Sequence, residues 1–120
     1  DKSSAMSEPR YMYIFNQRLA DSHYHTNRMS NGWGYASFRT TPKILKDAHK
    51  IDIPILLLTS GNDALVDLEG HYRFADSTPN TEFVIYEGAK HELYNGTEEI
   101  LEDYYARIFE FLEKIRRGNS

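Results

Sequence analysis

An α/β fold with parallel strands is expected of this sequence, and three observations carry the expectation. Residues 53–59 form a short, nearly all-apolar run that ends at Ser60-Gly61-Asn62-Asp63. Residues 82–86 form a second run, β-branched and aromatic, that leads into Glu87-Gly88-Ala89. Between and after these runs, apolar residues recur every three to four positions, as on helices. The order from Lys50 onward is therefore β-α-β-α, in which helical crossovers connect parallel strands.

Texture changes at about Lys50, dividing the chain into an aromatic-rich piece, residues 1–50, and a regular piece, residues 51–120. In the first piece, residues 8–20 predict a helix, with Pro9 suited to the first turn and Tyr11, Ile14, Phe15 and Leu19 on one side. Residues 21–34, rich in Ser, His, Asn and Gly, read as loop. Residues 37–50 read as a second helix, with Pro42 assigned to its first turn, where a missing amide is harmless. Its apolar positions, Ile44, Leu45 and Ala48, are few.

In the second piece, residues 53–59 have the profile of a strand buried on both faces of a parallel sheet. Asp67 can cap a helix running to about Asp76, with Leu68, Tyr72 and Ala75 at helical spacing, and Ser77-Thr78-Pro79-Asn80 stops it. Residues 82–86 are the next strand, expected to pair in parallel with the first. Residues 97–117 carry a cap (Asn95 or Thr97), an acidic first turn and a basic end before Gly118. Leu101, Tyr104, Tyr105, Ile108, Phe111, Leu112 and Ile115 then form one apolar face to be covered by the sheet. Two strands of this type need neighbours, so further strands are expected from residues upstream of Asp1 or from another chain; a domain-swapped or associated dimer would meet the same need.

Composition narrows the function. Of 120 residues, 40% are hydrophobic and 27% charged, ordinary globular usage that argues against disorder. The net charge of −4 is spread without a basic block, so nucleic acid is not an expected partner. The absence of cysteine removes disulfides, thiolate zinc sites and cysteine nucleophiles, and leaves the redox compartment open. The longest apolar run, residues 53–58 with Pro54 inside it, is far shorter than the roughly 18 residues of a membrane span, so no transmembrane segment is expected. His23 and His25 beside Asp21 lack a third strong ligand, and neither a metal site nor a cofactor is expected. His49 and His71 fall among charged neighbours and read as solvated.

The chemistry is expected at the strand ends. In open parallel sheets, the loops after the strands share one rim, where functional groups gather. Asp63 follows one strand and His91 the other, so a carboxylate and an imidazole would emerge side by side, as the acid and base of a catalytic triad. Each has a plainer reading: Asp63 as turn chemistry, His91 as an ordinary exposed histidine. Asp67 competes with Asp63 as the acid, but its place before Leu68 suits a helix cap better.

At these residues the chain resembles the monoglyceride lipase and lysophospholipase branch of the α/β-hydrolases. The strings IDIPILLLTSGNDALVD and FVIYEGAKHELYN, followed by a long amphipathic helix, are similar to the end of that fold. Gly61-Asn62-Asp63, Val66 and Gly88-Ala89-Lys90-His91 stand at the family's positions, and the order Asp then His is the family's order. The resemblance covers roughly the last 70 residues well. It implies that Asp63 is the catalytic acid and His91 the catalytic base of a serine hydrolase acting on carboxylic esters of lipid-like substrates, such as a lysophospholipid or a monoacylglycerol. It also implies that residues 1–50 are a helical lid, with Tyr11, Tyr13, Phe15, Trp33, Tyr35 and Phe38 as its aromatic lining, and it favours a cytoplasmic or membrane-peripheral setting.

The sequence departs from the family in one essential respect. No G-x-S-x-G elbow is present, and Ser37 lacks both flanking glycines, so the nucleophile and the oxyanion loop are expected upstream of Asp1. The chain alone is accordingly expected to be inactive as an esterase. Two other readings keep some of these features: an α/β-hydrolase with an aspartate nucleophile, as in epoxide hydrolases and dehalogenases, and a non-catalytic interaction domain.

Overall fold

Pro9 at the start and Glu8 in the first turn set the beginning of helix α1 (Glu8–Ala20), the span expected from its apolar spacing. The computed structural model describes residues 4–24 and 29–118. Helix α2 (Asn31–Asp47) begins well before residue 37, because the Ser30 hydroxyl accepts from the Trp33 amide at 3.1 Å and caps a turn within the stretch expected to be loop. Pro42 consequently lies in the helix interior and not in its first turn. A proline there cannot donate to the carbonyl four residues back. Beside the gap, Thr41 Oγ1 donates to the Ser37 carbonyl at 3.0 Å. A 3-10 turn over Ala48–Lys50 then buries Ala48 completely.

Strands β1 (Ile55–Ser60) and β2 (Thr81–Tyr86) pair in parallel, from Ile55 opposite Thr81 to Ser60 opposite Tyr86. β1 starts after Pro54 and not at Ile53: Pro54 has no amide to give to a ladder, and the Ile55 amide that follows donates to the Asn80 carbonyl at 2.9 Å. Helix α3 (Leu68–Ser77) crosses between the strands, and Asp67 Oδ1 caps it by accepting from the Glu69 amide at 3.0 Å. Helix α4 (Glu98–Gly118) follows β2, with Glu98 and Glu99 at its positive end and Arg116 and Arg117 at its negative end.

Alternation along β2 tells which helix covers which face. Phe83 meets Tyr72 of α3 edge to face, ring centroids 5.3 Å apart. The neighbouring positions turn the other way, toward α4: the Tyr86 hydroxyl donates to Asp103 Oδ2 at 2.8 Å, and Glu82 pairs with Lys114. Thr59, in register with Ile85, hydrogen-bonds His71 of α3 at 3.2 Å, which agrees with the side assigned to Phe83. The sheet thus lies between α3 and α4, and α4 runs back along β2.

Three expectations about packing are corrected. His71 is not solvated: it is half-buried, because its ring hydrogen-bonds the hydroxyl of Thr59, itself only 2% exposed. The apolar face of α4 is also split. Leu101 is buried and Tyr104, Ile108, Phe111 and Ile115 are half-buried, whereas Tyr105, Phe109 and Leu112 form a second stripe that stays exposed. The apolar side chains of β1 are half-buried, not buried on both faces.

The α3 cap provides a test of the element assignments. Asp67→Ala removes the oxygen held by the Glu69 amide and should lower stability by about 1 kcal/mol. A denaturant midpoint unchanged in this variant would contradict the cap.

Candidate active site at the strand-end loops

Ser60 and Tyr86 end their strands opposite each other, so the two following loops leave the sheet side by side. Several hydrogen bonds then lace them together. The Gly61 amide donates to the Tyr86 carbonyl at 2.9 Å, the Asn62 amide to the Ala89 carbonyl at 3.0 Å, and Ser60 Oγ to the Lys90 carbonyl at 2.6 Å. The Tyr86 carbonyl also accepts from the Ala89 amide at 2.9 Å, closing the Glu87-Gly88 turn. Gly61 is needed for closeness, not for an unusual torsion. A Cβ there would lie 2.6 Å from Glu87 Cα and 2.8 Å from the Glu87 carbonyl oxygen, and no described residue has positive φ.

This lacing brings the two sequence-predicted residues together. Asp63 Oδ2 and His91 Nδ1 are 2.8 Å apart. The other carboxylate oxygen, Oδ1, accepts from the Leu65 amide at 2.8 Å and from the Val66 amide at 3.1 Å. Asp63 therefore makes turn hydrogen bonds with one oxygen and meets His91 with the other. The Asp63 side chain is 7% exposed and that of His91 is 39% exposed, so the carboxylate sits behind and the imidazole in front.

Electrostatics follow from that arrangement. Burial pushes the Asp63 carboxyl upward, but the His91 hydrogen bond and the Leu65 and Val66 amides together outweigh it and hold the group below its ordinary 3.8. Asp63 is thus an anion at neutral pH, and an ionised carboxylate can only accept. His91 Nδ1 must carry the proton between them, which leaves Nε2 as the basic atom of a neutral ring.

The remaining candidates separate cleanly. Asp67 caps α3 and takes no part in this pair. His49 is exposed, and its Nδ1 lies 3.0 Å from the Lys46 carbonyl. Asp21 Oδ1 accepts from the His23 amide at 2.8 Å, while His25 lies outside the described residues. Sequence reasoning missed a second tie on the loop after His91. The Glu92 carboxylate accepts from Ser4 Oγ at 3.0 Å and from Asn95 Nδ2 at 2.7 Å, so residues 4–7 are strapped to it ahead of α1. No local sequence signal joins positions so far apart.

Comparison with known proteins agrees with this architecture. The family described as serine aminopeptidase, S33 matches residues 4–98, most of the chain and both members of the pair. The chain belongs to this family of α/β-hydrolases. A monoglyceride lipase homolog from monkeypox virus is 40% identical over 70 residues, covering 56% of this chain and 25% of that protein. This S33 chain thus matches about a quarter of the length of that relative.

Two outcomes test the site's construction. Gly61→Ala should push the loops apart and destabilise the folded state by roughly 1–3 kcal/mol through overpacking against rigid backbone, read as a lower denaturant midpoint. The second concerns pH. Because the folded-state carboxyl titrates below 3.8, the stability it contributes is fully present above that value and is lost as pH falls from there through the lower folded value. The stability gap between the wild type and Asp63→Asn should therefore be widest above 3.8 and close below it in urea titrations at stepped pH.

Proposed function

We propose that this chain supplies the acid and the base of a Ser-Asp-His triad that hydrolyses carboxylic esters of lipid-like substrates, such as a monoacylglycerol or a lysophospholipid. The single observation that carries the proposal is the 2.8 Å contact between Asp63 Oδ2 and His91 Nδ1, with Asp63 buried and held by two further amides. That geometry suits proton transfer. His91 Nε2 takes the proton of a serine hydroxyl as the serine attacks the ester carbonyl, and the imidazolium that forms is stabilised by the Asp63 charge. The same proton then goes to the departing alcohol, leaving an acyl-enzyme, and water repeats the cycle to release the acid.

The serine belongs outside these 120 residues, since no G-x-S-x-G elbow occurs among them. A segment carrying it would add strands at the open sheet edges and bring the elbow to the same rim. Residues 1–50 then act as the lid over a lipid chain. The exposed rings of Tyr13, Trp33, Tyr35 and Phe38 on α1 and α2 support that division, as does the name of the viral relative for the ester class.

The test is made on full-length protein. A fluorophosphonate probe should label one serine, and His91→Ala should lower kcat/KM by at least about 10³-fold. Asp63→Asn should cost about 10⁴-fold, because an amide nitrogen facing Nδ1 places the ring proton on Nε2 and removes the base. Asp67→Ala should turn over normally. Retained turnover in His91→Ala would sink the triad, and ester turnover without a serine adduct would point to an aspartate nucleophile.

A further inference from the structure

His91 lies between two peptide groups, and each is fastened by a residue outside the proposed triad. On one side, the Lys90 carbonyl, which belongs to the peptide joining Lys90 to His91, accepts from Ser60 Oγ at 2.6 Å. On the other, the Glu92 amide, which belongs to the peptide joining His91 to Glu92, donates to the Ser4 carbonyl at 2.8 Å. A residue has only two soft backbone torsions, so holding the peptide plane on each side fixes both and aims its Cα–Cβ bond. The ring's own torsions are then set by Asp63.

Ser60 is the part of this clamp that a side chain supplies directly. It is 5% exposed, ends β1 and stands opposite Tyr86, so its hydroxyl is anchored in the sheet. It is also only three positions from Asp63, where β1 runs into the loop. One short segment thereby holds the imidazole through Asp63 and the backbone of that imidazole through Ser60. We propose that Ser60 is a positioning residue for His91, acting through the Lys90 carbonyl; the inference rests on the triad reading above. Without the hydroxyl, the peptide preceding His91 gains freedom to rotate and Nδ1 drifts from Asp63 Oδ2. A displacement of about 1 Å at a catalytic group can cost on the order of 10²-fold in rate.

Three variants of the full-length protein decide the matter: Ser60→Ala, Ser60→Val and Ser60→Thr. Threonine keeps the hydroxyl, and valine has its shape without one, so this pair remains informative if the alanine variant does not fold. On a soluble short-chain ester, Ala and Val should lower kcat roughly 10- to 100-fold with KM little changed, while Thr retains most of the rate. In NMR spectra, the His91 Nδ1 proton should exchange faster with water in those two variants than in the wild type. Wild-type kcat and Nδ1 exchange in Ser60→Val would overturn the positioning role. If His91→Ala turned over normally the triad reading would fail by itself, and the Nδ1 exchange would still report whether Ser60 aims the ring.

Discussion

The close approach of two loops is the constraint on which the rest of this structure depends. β1 and β2 end in register, and Gly61 lets the backbone after β1 press against Glu87 with no room for a side chain between them. Every hydrogen bond across the rim follows from that contact. An added atom at position 61 would have to displace main chain, which is more rigid than any side chain, and the pair of Asp63 and His91 would open with it. Selection of glycine there is thus a matter of volume, since its torsions are ones any residue could adopt.

Around that rim the sheet is thin. Only two strands are present among the described residues, and the buried apolar residues there are Ala5, Ala48, Ala89, Leu93 and Leu101. A set so small, with three alanines in it, removes little apolar area from water. Polar ties also join the sheet to α4: Tyr86 to Asp103, which Arg107 also grips at 2.6 Å, and Glu82 to Lys114. Burial and the Asp103 carboxylate push the Tyr86 hydroxyl up to about 12, so it remains a donor throughout the physiological range. The radius of gyration, 16.9 Å, exceeds the roughly 13.6 Å expected of a compact chain of this length. The exposed rings of α1 and α2 and the exposed stripe on α4 belong to the same picture.

Much of this was legible in the sequence. Helical spacing located α1, α3 and α4, and short apolar or β-branched runs bounded by turn residues located both strands. The start of α2 was hidden by Gly32 and Gly34, which read as loop until Ser30 is seen to cap the turn that contains them. Pro42 misled for a related reason: its local rule places it in a first turn, whereas the helix extends around it. At the site, the types and order of Asp63 and His91 were readable, since strand ends project from the pattern. Ser60, Ser4 and Glu92 were not, because their partners lie across the fold and their residue types fit a turn or a surface equally well.

The Asp63 carboxylate shows why the two readings of that residue need not compete. A buried anion is costly unless its lone pairs are taken up. Two amides on its own loop satisfy one oxygen, which keeps the group ionised and fixes the plane of the carboxylate. Only then does the second oxygen point at a set place, where the imidazole meets it at 2.8 Å. Were the loop to hold neither oxygen, the carboxylate could rotate and solvate, and the histidine would lose both its tautomer and its aim. Turn chemistry is therefore the local step through which the two described strands present an oriented imidazole at their rim.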